Sequence, residues 1–198
     1  MTPRVSFSNT NPDFSSALKN RVHEYFKSSG MKERGNTKLY FKTVILFSTA
    51  ITTYLLLLFA SLPAWAALPL CVLMGANLAA IGFNVMHDGG HGSYSNKHWV
   101  NEIMAYSLNL MGGSSFMWKQ KHNVNHHTYT NVEGIDDDID IQPWIRTNIN
   151  QPRRWFHRYQ HIYWALLYGF TYLIWVFMQD FRKYFSGRIG NIPIKKMS

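Results

Sequence analysis

His87-Asp88-Gly89-Gly90-His91 sets two histidines four residues apart. His122-Asn123-Val124-Asn125-His126-His127 repeats the spacing and adds a third ring directly after it. On a helix four residues is about one turn, so both rings of a pair leave the same face roughly 6 Å apart. Such a pair holds one metal ion or reaches two neighbouring ions. Neutral imidazole suits zinc, copper, iron and nickel. The five histidines His87, His91, His122, His126 and His127 exceed what one tetrahedral zinc needs and suit two ions with positions left open. The competing reading is a set of polar side chains satisfied at a membrane surface. Cys71, the single cysteine, lies in an apolar run, so metal must be bound by histidine and oxygen. No Glu-x-x-His accompanies either box, which argues against a soluble di-iron bundle. His-Glu-x-x-His is missing, which argues against a zinc protease, and no Gly-x-Ser-x-Gly turn supports a Ser/His/Asp hydrolase.

The elements that must position these rings are apolar helices. Residues 44–62 carry no charge and are long enough for one span; Pro63-Ala64 turns the chain, and residues 65–86 form a second uncharged run. Trp65 belongs at the far interface, and Pro69 is placed to kink the second span near its start. The two spans make a hairpin whose ends return to one side. The basic N-terminal segment assigns that side as cytoplasmic. His87 therefore emerges on the cytoplasmic face, where ionisable groups beside a span are costly and functional by default.

Residues 1–11 are polar and read as loose chain. A helix is expected from Asn11-Pro12, with Phe14, Leu18, Val22, Tyr25 and Phe26 on one face and Gly30 as its end. It lies either on the membrane or against the protein, with His23 on its polar side. Residues 1–42 thus form a cytoplasmic N-terminal segment and residues 43–198 a membrane domain. Trp99 to Leu110 predicts an in-plane helix, and Met111-Gly112-Gly113-Ser114-Ser115 a turn. Ile162 to Met178 is short for a span, rich in Trp and Tyr, and basic at both ends. It reads as a helix in the interface or packed on the domain. The fold class is all-α: an integral membrane protein with a transmembrane hairpin plus cytoplasmic and interfacial helices.

The formal charge of +9 on 198 residues does not indicate nucleic acid, because Lys and Arg are dispersed and flank apolar runs, as contact with an anionic leaflet requires. Asp136, Asp137, Asp138 and Asp140 read as a solvated acidic loop, or as groups that orient the box histidines or cap a helix. Arg153, Arg154 and Arg158 read as an interface anchor, or as a site for the phosphates of a coenzyme A ester. His157 reads as solvated and His98 as a surface residue; His161 is a candidate ligand or a group beside one.

Both boxes resemble the first two histidine boxes of the integral-membrane fatty acid desaturases. The surrounding Gly89-Gly90-His91-Gly92-Ser93-Tyr94 and Met117-Trp118-Lys119 through Asn131 are most similar to the front-end branch and its bacterial acyl-lipid or acyl-CoA relatives. The resemblance implies a di-iron centre with His87, His91, His122, His126 and His127 as iron ligands. It implies O2 as co-substrate and removal of two hydrogens from adjacent methylenes of a long acyl chain on coenzyme A or a lipid, leaving a cis double bond. A separate electron donor, a haem protein or ferredoxin type, is implied because no His-Pro-Gly-Gly occurs. An alkyl C–H bond does not yield to acid–base groups, so a metal-based oxidant must carry the chemistry. Asp88 and the Asp136–Asp140 cluster are candidates for holding each ring in the right tautomer. The branch commonly carries a third box, Gln-x-x-His-His, beyond a second pair of spans, and no histidine follows His161. The chain is expected to be the N-terminal portion of such an enzyme with an incomplete ligand set. The rival readings are a membrane hydroxylase or other oxygenase, a non-enzymatic histidine-rich metal-binding membrane protein, and an inactive fragment.

Overall fold

The structure, a computed structural model, describes residues 12–189 and 192–194. The expectation for residues 1–11 lies outside them. α1 (Pro12–Ser29) stops at Gly30, whose φ of 64° costs a residue without Cβ little. α2 (Thr37–Phe59) starts where the Asn36 side chain accepts the Leu39 N–H. α3 (Ala64–Ile81) passes through a π turn, Gly82–Met86, straight into α4 (His87–Gly90), giving one continuous helix Ala64–Gly90 that Pro69 does not break.

α2 and α3 form the expected hairpin. Its seam uses small and polar side chains, Thr43, Ala50, Thr53 and Asn77, which let the backbones approach. Its outer surface is bare and apolar: Phe59 is 76% exposed, Val72 73% and Phe83 78%. A continuous sheath of this kind is stable only against lipid. Among the described residues three helices are long and apolar enough to cross a bilayer, Thr37–Phe59, Ala64–Gly90 and Trp155–Ser186. The protein is an all-α integral membrane protein.

α5 (His98–Ala105) and α6 (Ser107–Leu110) cover the predicted in-plane stretch, interrupted at Tyr106. After the turn at Gly112, α7 (Ser115–Lys119) runs into a second π turn, Gln120–His126. Two small cores lie directly under the boxes. One joins Ala50, Ile81, Val85 and Tyr94; the other joins Met86, Leu108 and Trp118, with Trp175 packed against it.

The last helix is longer than its apolar run suggests. A 3-10 turn, Trp155–Tyr159, leads into α8 (Gln160–Ile174), a π turn (Trp175–Gln179) and α9 (Asp180–Ser186), together 32 residues. Shortness is therefore no argument against a span. Its two ends, however, are tied to one irregular loop. Lys183 Nζ sits 2.5 Å from Asp137. Gln160 exchanges bonds of 3.1 and 3.2 Å with the Arg146 backbone, and Tyr163 donates to the Trp144 carbonyl at 2.8 Å. A straight helix from Gln160 to Lys183 covers roughly 34 Å, so the loop runs alongside it. Beyond Gly187, β1 (Arg188–Ile189) pairs antiparallel with β2 (Ile192–Pro193), Arg188 opposite Pro193.

Candidate metal centre

His87 and His91 stand one turn apart at the end of the second apolar helix, with ring centroids 4.5 Å apart. The two glycines between them are a packing requirement. A Cβ on Gly89 would lie 2.7 Å from the Ala105 nitrogen and the Asn101 oxygen, both backbone atoms, and a Cβ on Gly90 would collide with the Trp118 indole. Glycine therefore lets α4 press onto α5 and lets Trp118 reach the rings. Asn101 fixes the turn that follows: its Oδ1 accepts the Ser95 N–H at 2.8 Å and its Nδ2 donates to the Ser95 carbonyl at 2.8 Å.

The second box is not α-helical. In its π turn the His127 N–H donates to the His122 carbonyl, five residues back, at 3.0 Å. The longer turn brings residue i+5 beside residue i, which an α-helix would not do. His127 Nε2 accordingly lies 3.2 Å from His122 Nε2. Two nitrogens bonded to one ion at 2.0–2.1 Å stand roughly 3.4 Å apart in a tetrahedral arrangement. Asn123 joins the boxes, donating to the Gly90 carbonyl at 2.8 Å. Across this joint His91 and His122 have centroids 5.1 Å apart, and His91 and His127 4.8 Å. Trp118 is buried, stacks on His122 at 4.5 Å and meets His87 and His91 edge-on.

His87, His91 and His122 each offer a ring nitrogen within 4.8 Å of the others. His127 completes a four-ring pocket. His126 is stacked outside His122, at 5.3 Å, and turns Nδ1 toward an acidic loop. There its Nδ1 is 3.1 Å from both oxygens of Asp136 and 3.4 Å from Asp138. Asp138 also pairs with Lys121 at 2.6 Å. Burial alone pushes the Asp138 carboxyl up, but the His122 contact and the Lys121 ammonium outweigh it and hold it below the usual carboxylate range. Burial, and then the neighbouring His87, His122 and His127, push His91 down to about 4. Burial, with His122 and His126, lowers His127 as well. These rings are neutral donors at neutral pH, as metal ligation requires. The donor set fits a transition metal: converging imidazoles, one donor pair already at ligand spacing, and a low-dielectric indole wall.

Two readings of the sequence need correction. Asp136 is not a solvated loop residue; it is 0% exposed. His157 is not solvated either: it is buried, accepting the Arg154 N–H at 3.0 Å and donating to the Pro143 carbonyl at 2.8 Å. It holds a loop. His161 is exposed and lies apart from the histidine cluster, and His98 is a surface residue 3.7 Å from Glu102. Asp88 comes within 3.7 Å of His87 Nδ1, too far for a hydrogen bond. Trp118, Lys121 and Asn123 are site residues that the histidine spacing alone does not reveal. Their position inside or beside the second box is the only signal they give.

The sequence profile of the fatty acid desaturases matches residues 63–195, which include both boxes and the acidic loop. The chain belongs to the fatty acid desaturase family. It is 40% identical over 190 residues to an acyl-lipid (8-3)-desaturase of Physcomitrium patens, covering 95% of this chain and 40% of that protein. It is 35% identical over 174 residues to an sn-1 linoleoyl-lipid 6-desaturase of Arthrospira platensis, covering 88% of this chain and 47% of that protein. An acyl-lipid (8-3)-desaturase B of Dictyostelium discoideum is 32% identical over 189 residues, covering 92% of this chain and 40% of that protein. The chain thus spans less than half the length of these relatives. No solved structure matches it.

Proposed function

We propose that this chain carries the iron-binding part of a fatty acid desaturase that places a cis double bond in a long acyl chain. The observation that carries this reading is the convergence of His87, His91, His122 and His127 at the tip of an apolar helix of spanning length. His126, through Nε2, would be the fifth ligand. Two bound iron ions, with O2 and two electrons, would supply the oxidant that an unactivated C–H bond demands. The chain's own part is positioning. His91 and His127, whose pKa values burial lowers, present lone pairs without first losing protons, Trp118 keeps water from one side of the rings, and Asn123 fixes one box against the other. The names of the relatives favour an acyl group carried on a lipid rather than on coenzyme A. Electrons would come from a separate haem protein or ferredoxin.

The N-terminus and both boxes would face the cytoplasm, with residues 1–42 as a peripheral segment. The helix Trp155–Ser186 would lie in the interface. Were it to cross the bilayer, the irregular loop bonded to both its ends would cross too, and an irregular loop carrying Asp136, Asp137, Asp138 and Asp140 is not stable at membrane depth.

The test is product analysis. The whole protein is expressed in a host, its iron is counted, and the host's acyl lipids are analysed by gas chromatography. Bound iron with a new unsaturated chain, lost when His122 is replaced by alanine, is the expected result. A hydroxylated product would refute desaturation, and metal uptake without oxygen consumption would leave a metal binder.

A further inference from the structure

Among the described residues a second set of side chains could also hold a metal: His126, Asp136 and Asp138. We infer that this set is a brace and that Asp136 is its positioning residue, fixing the proton of His126 on Nδ1 so that Nε2 alone is left to bind. The inference rests on the reading of the five histidines as metal ligands.

Three nitrogen groups converge on the Asp136 carboxylate. Oδ2 accepts the Asn131 N–H at 2.8 Å, Oδ1 accepts the Asp138 N–H at 3.0 Å, and both oxygens face His126 Nδ1 at 3.1 Å. A carboxylate that receives two backbone N–H groups is oriented as an acceptor, so the ring must donate. The loop is shaped for this. Asn131 has a φ of 63°, a left-handed conformation uncommon outside glycine, and in it the Asn131 N–H points at Oδ2. The carboxylate is wholly buried and already receives two backbone N–H groups, so its orientation is set by the loop itself. Asp138 cannot substitute, because Lys121 holds it at 2.6 Å and its distance to His126 Nδ1 is longer, 3.4 Å. An imidazole with Nδ1 as donor keeps its only lone pair on Nε2, and a charged acceptor at Nδ1 makes that lone pair more basic.

The experiment uses the full chain in nanodiscs, metal-free and labelled with 15N-histidine. The His126 signals are assigned by comparison with His126→Gln. In the wild type, the expected result is a proton on Nδ1. A proton on Nε2 would overturn the inference without any variant at position 136. Co(II) is then titrated and followed by its visible absorption. Asp136→Asn should weaken Co(II) binding by about 10- to 100-fold and shift His126 toward the Nε2-protonated form. Unchanged tautomer and affinity in that variant would overturn the proposal. So would an X-ray absorption spectrum showing a carboxylate oxygen on cobalt that Asp136→Asn removes, because Asp136 would then be a ligand. If the wild type takes up no Co(II), the metal reading fails by itself, and the tautomer still decides the brace.

Discussion

His91 and His122 belong to different elements yet share one pocket, so either single replacement should empty it. His91→Ala and His122→Ala are expected to lose bound iron and with it all activity. His98→Ala, exposed and remote from the cluster, should keep both; iron content by mass spectrometry checks this. Gly89 makes a second prediction. Gly89→Ala drives a Cβ against the backbone of α5, which cannot move aside as a flexible side chain can. The expected cost is about 1–3 kcal/mol, read as a lower melting temperature. Gly75→Ala is the control, since its Cβ meets nothing within 4 Å, and in a helix it should be neutral or slightly stabilising. The clustering of the box histidines was legible in the sequence because the spacing within each box is local. The burial of Asp136 and His157 was not, because it is created by loops that return from elsewhere in the chain.

At the scale of elements, the first box is tied to the first span through Tyr94. Its hydroxyl donates to Thr43 Oγ1 at 2.8 Å, and Thr43 donates to the Leu39 carbonyl. Burial raises the Tyr94 pKa above its ordinary 10.0, more than the Thr43 bond lowers it. The folded state therefore holds this proton more tightly than the unfolded state. The resulting stability is complete below pH 10 and is lost as pH rises through the folded value. Tyr94→Phe should cost about 0.5–1.5 kcal/mol at pH 8 through the lost bond. By pH 11 the gap to wild type should narrow; thermal melts at the two pH values decide. The long helices were legible from uncharged runs of spanning length. The π turns were not: a turn that closes five residues back leaves no compositional trace, and simple one-turn spacing would pair His122 with His126 rather than with His127. The orientation of Trp155–Ser186 makes a further prediction. In a Cys71→Ser background, single cysteines at Gln160 and Lys183 should react with a membrane-impermeant maleimide from the same side. Labelling from opposite sides would establish a third span.

For the whole molecule, the hairpin puts its turn and its two ends at opposite faces of the bilayer. The Leu62–Pro63 turn should be reachable only from the face opposite the histidines, so a cysteine at Leu62 should label from the non-cytoplasmic side and one at His98 from the cytoplasmic side. The chain matches less than half the length of its relatives, yet the four converging rings lie entirely inside it. That is a consequence of local sequence: the boxes are about thirty residues apart, and one side-chain bond, Asn123 to Gly90, closes the distance.

The helix Ala64–Gly90 has no break between its membrane body and His87, and this has a mechanical consequence. A bilayer thinner than such a rod is met by tilt, and a rigid rod delivers its tilt to its tip. His87 and His91 ride on that tip, and because Asn123 ties the second box to Gly90, a change in membrane thickness would tilt the histidine cluster as one body. The orientation of the candidate metal centre would in this way follow the physical state of the lipid around it.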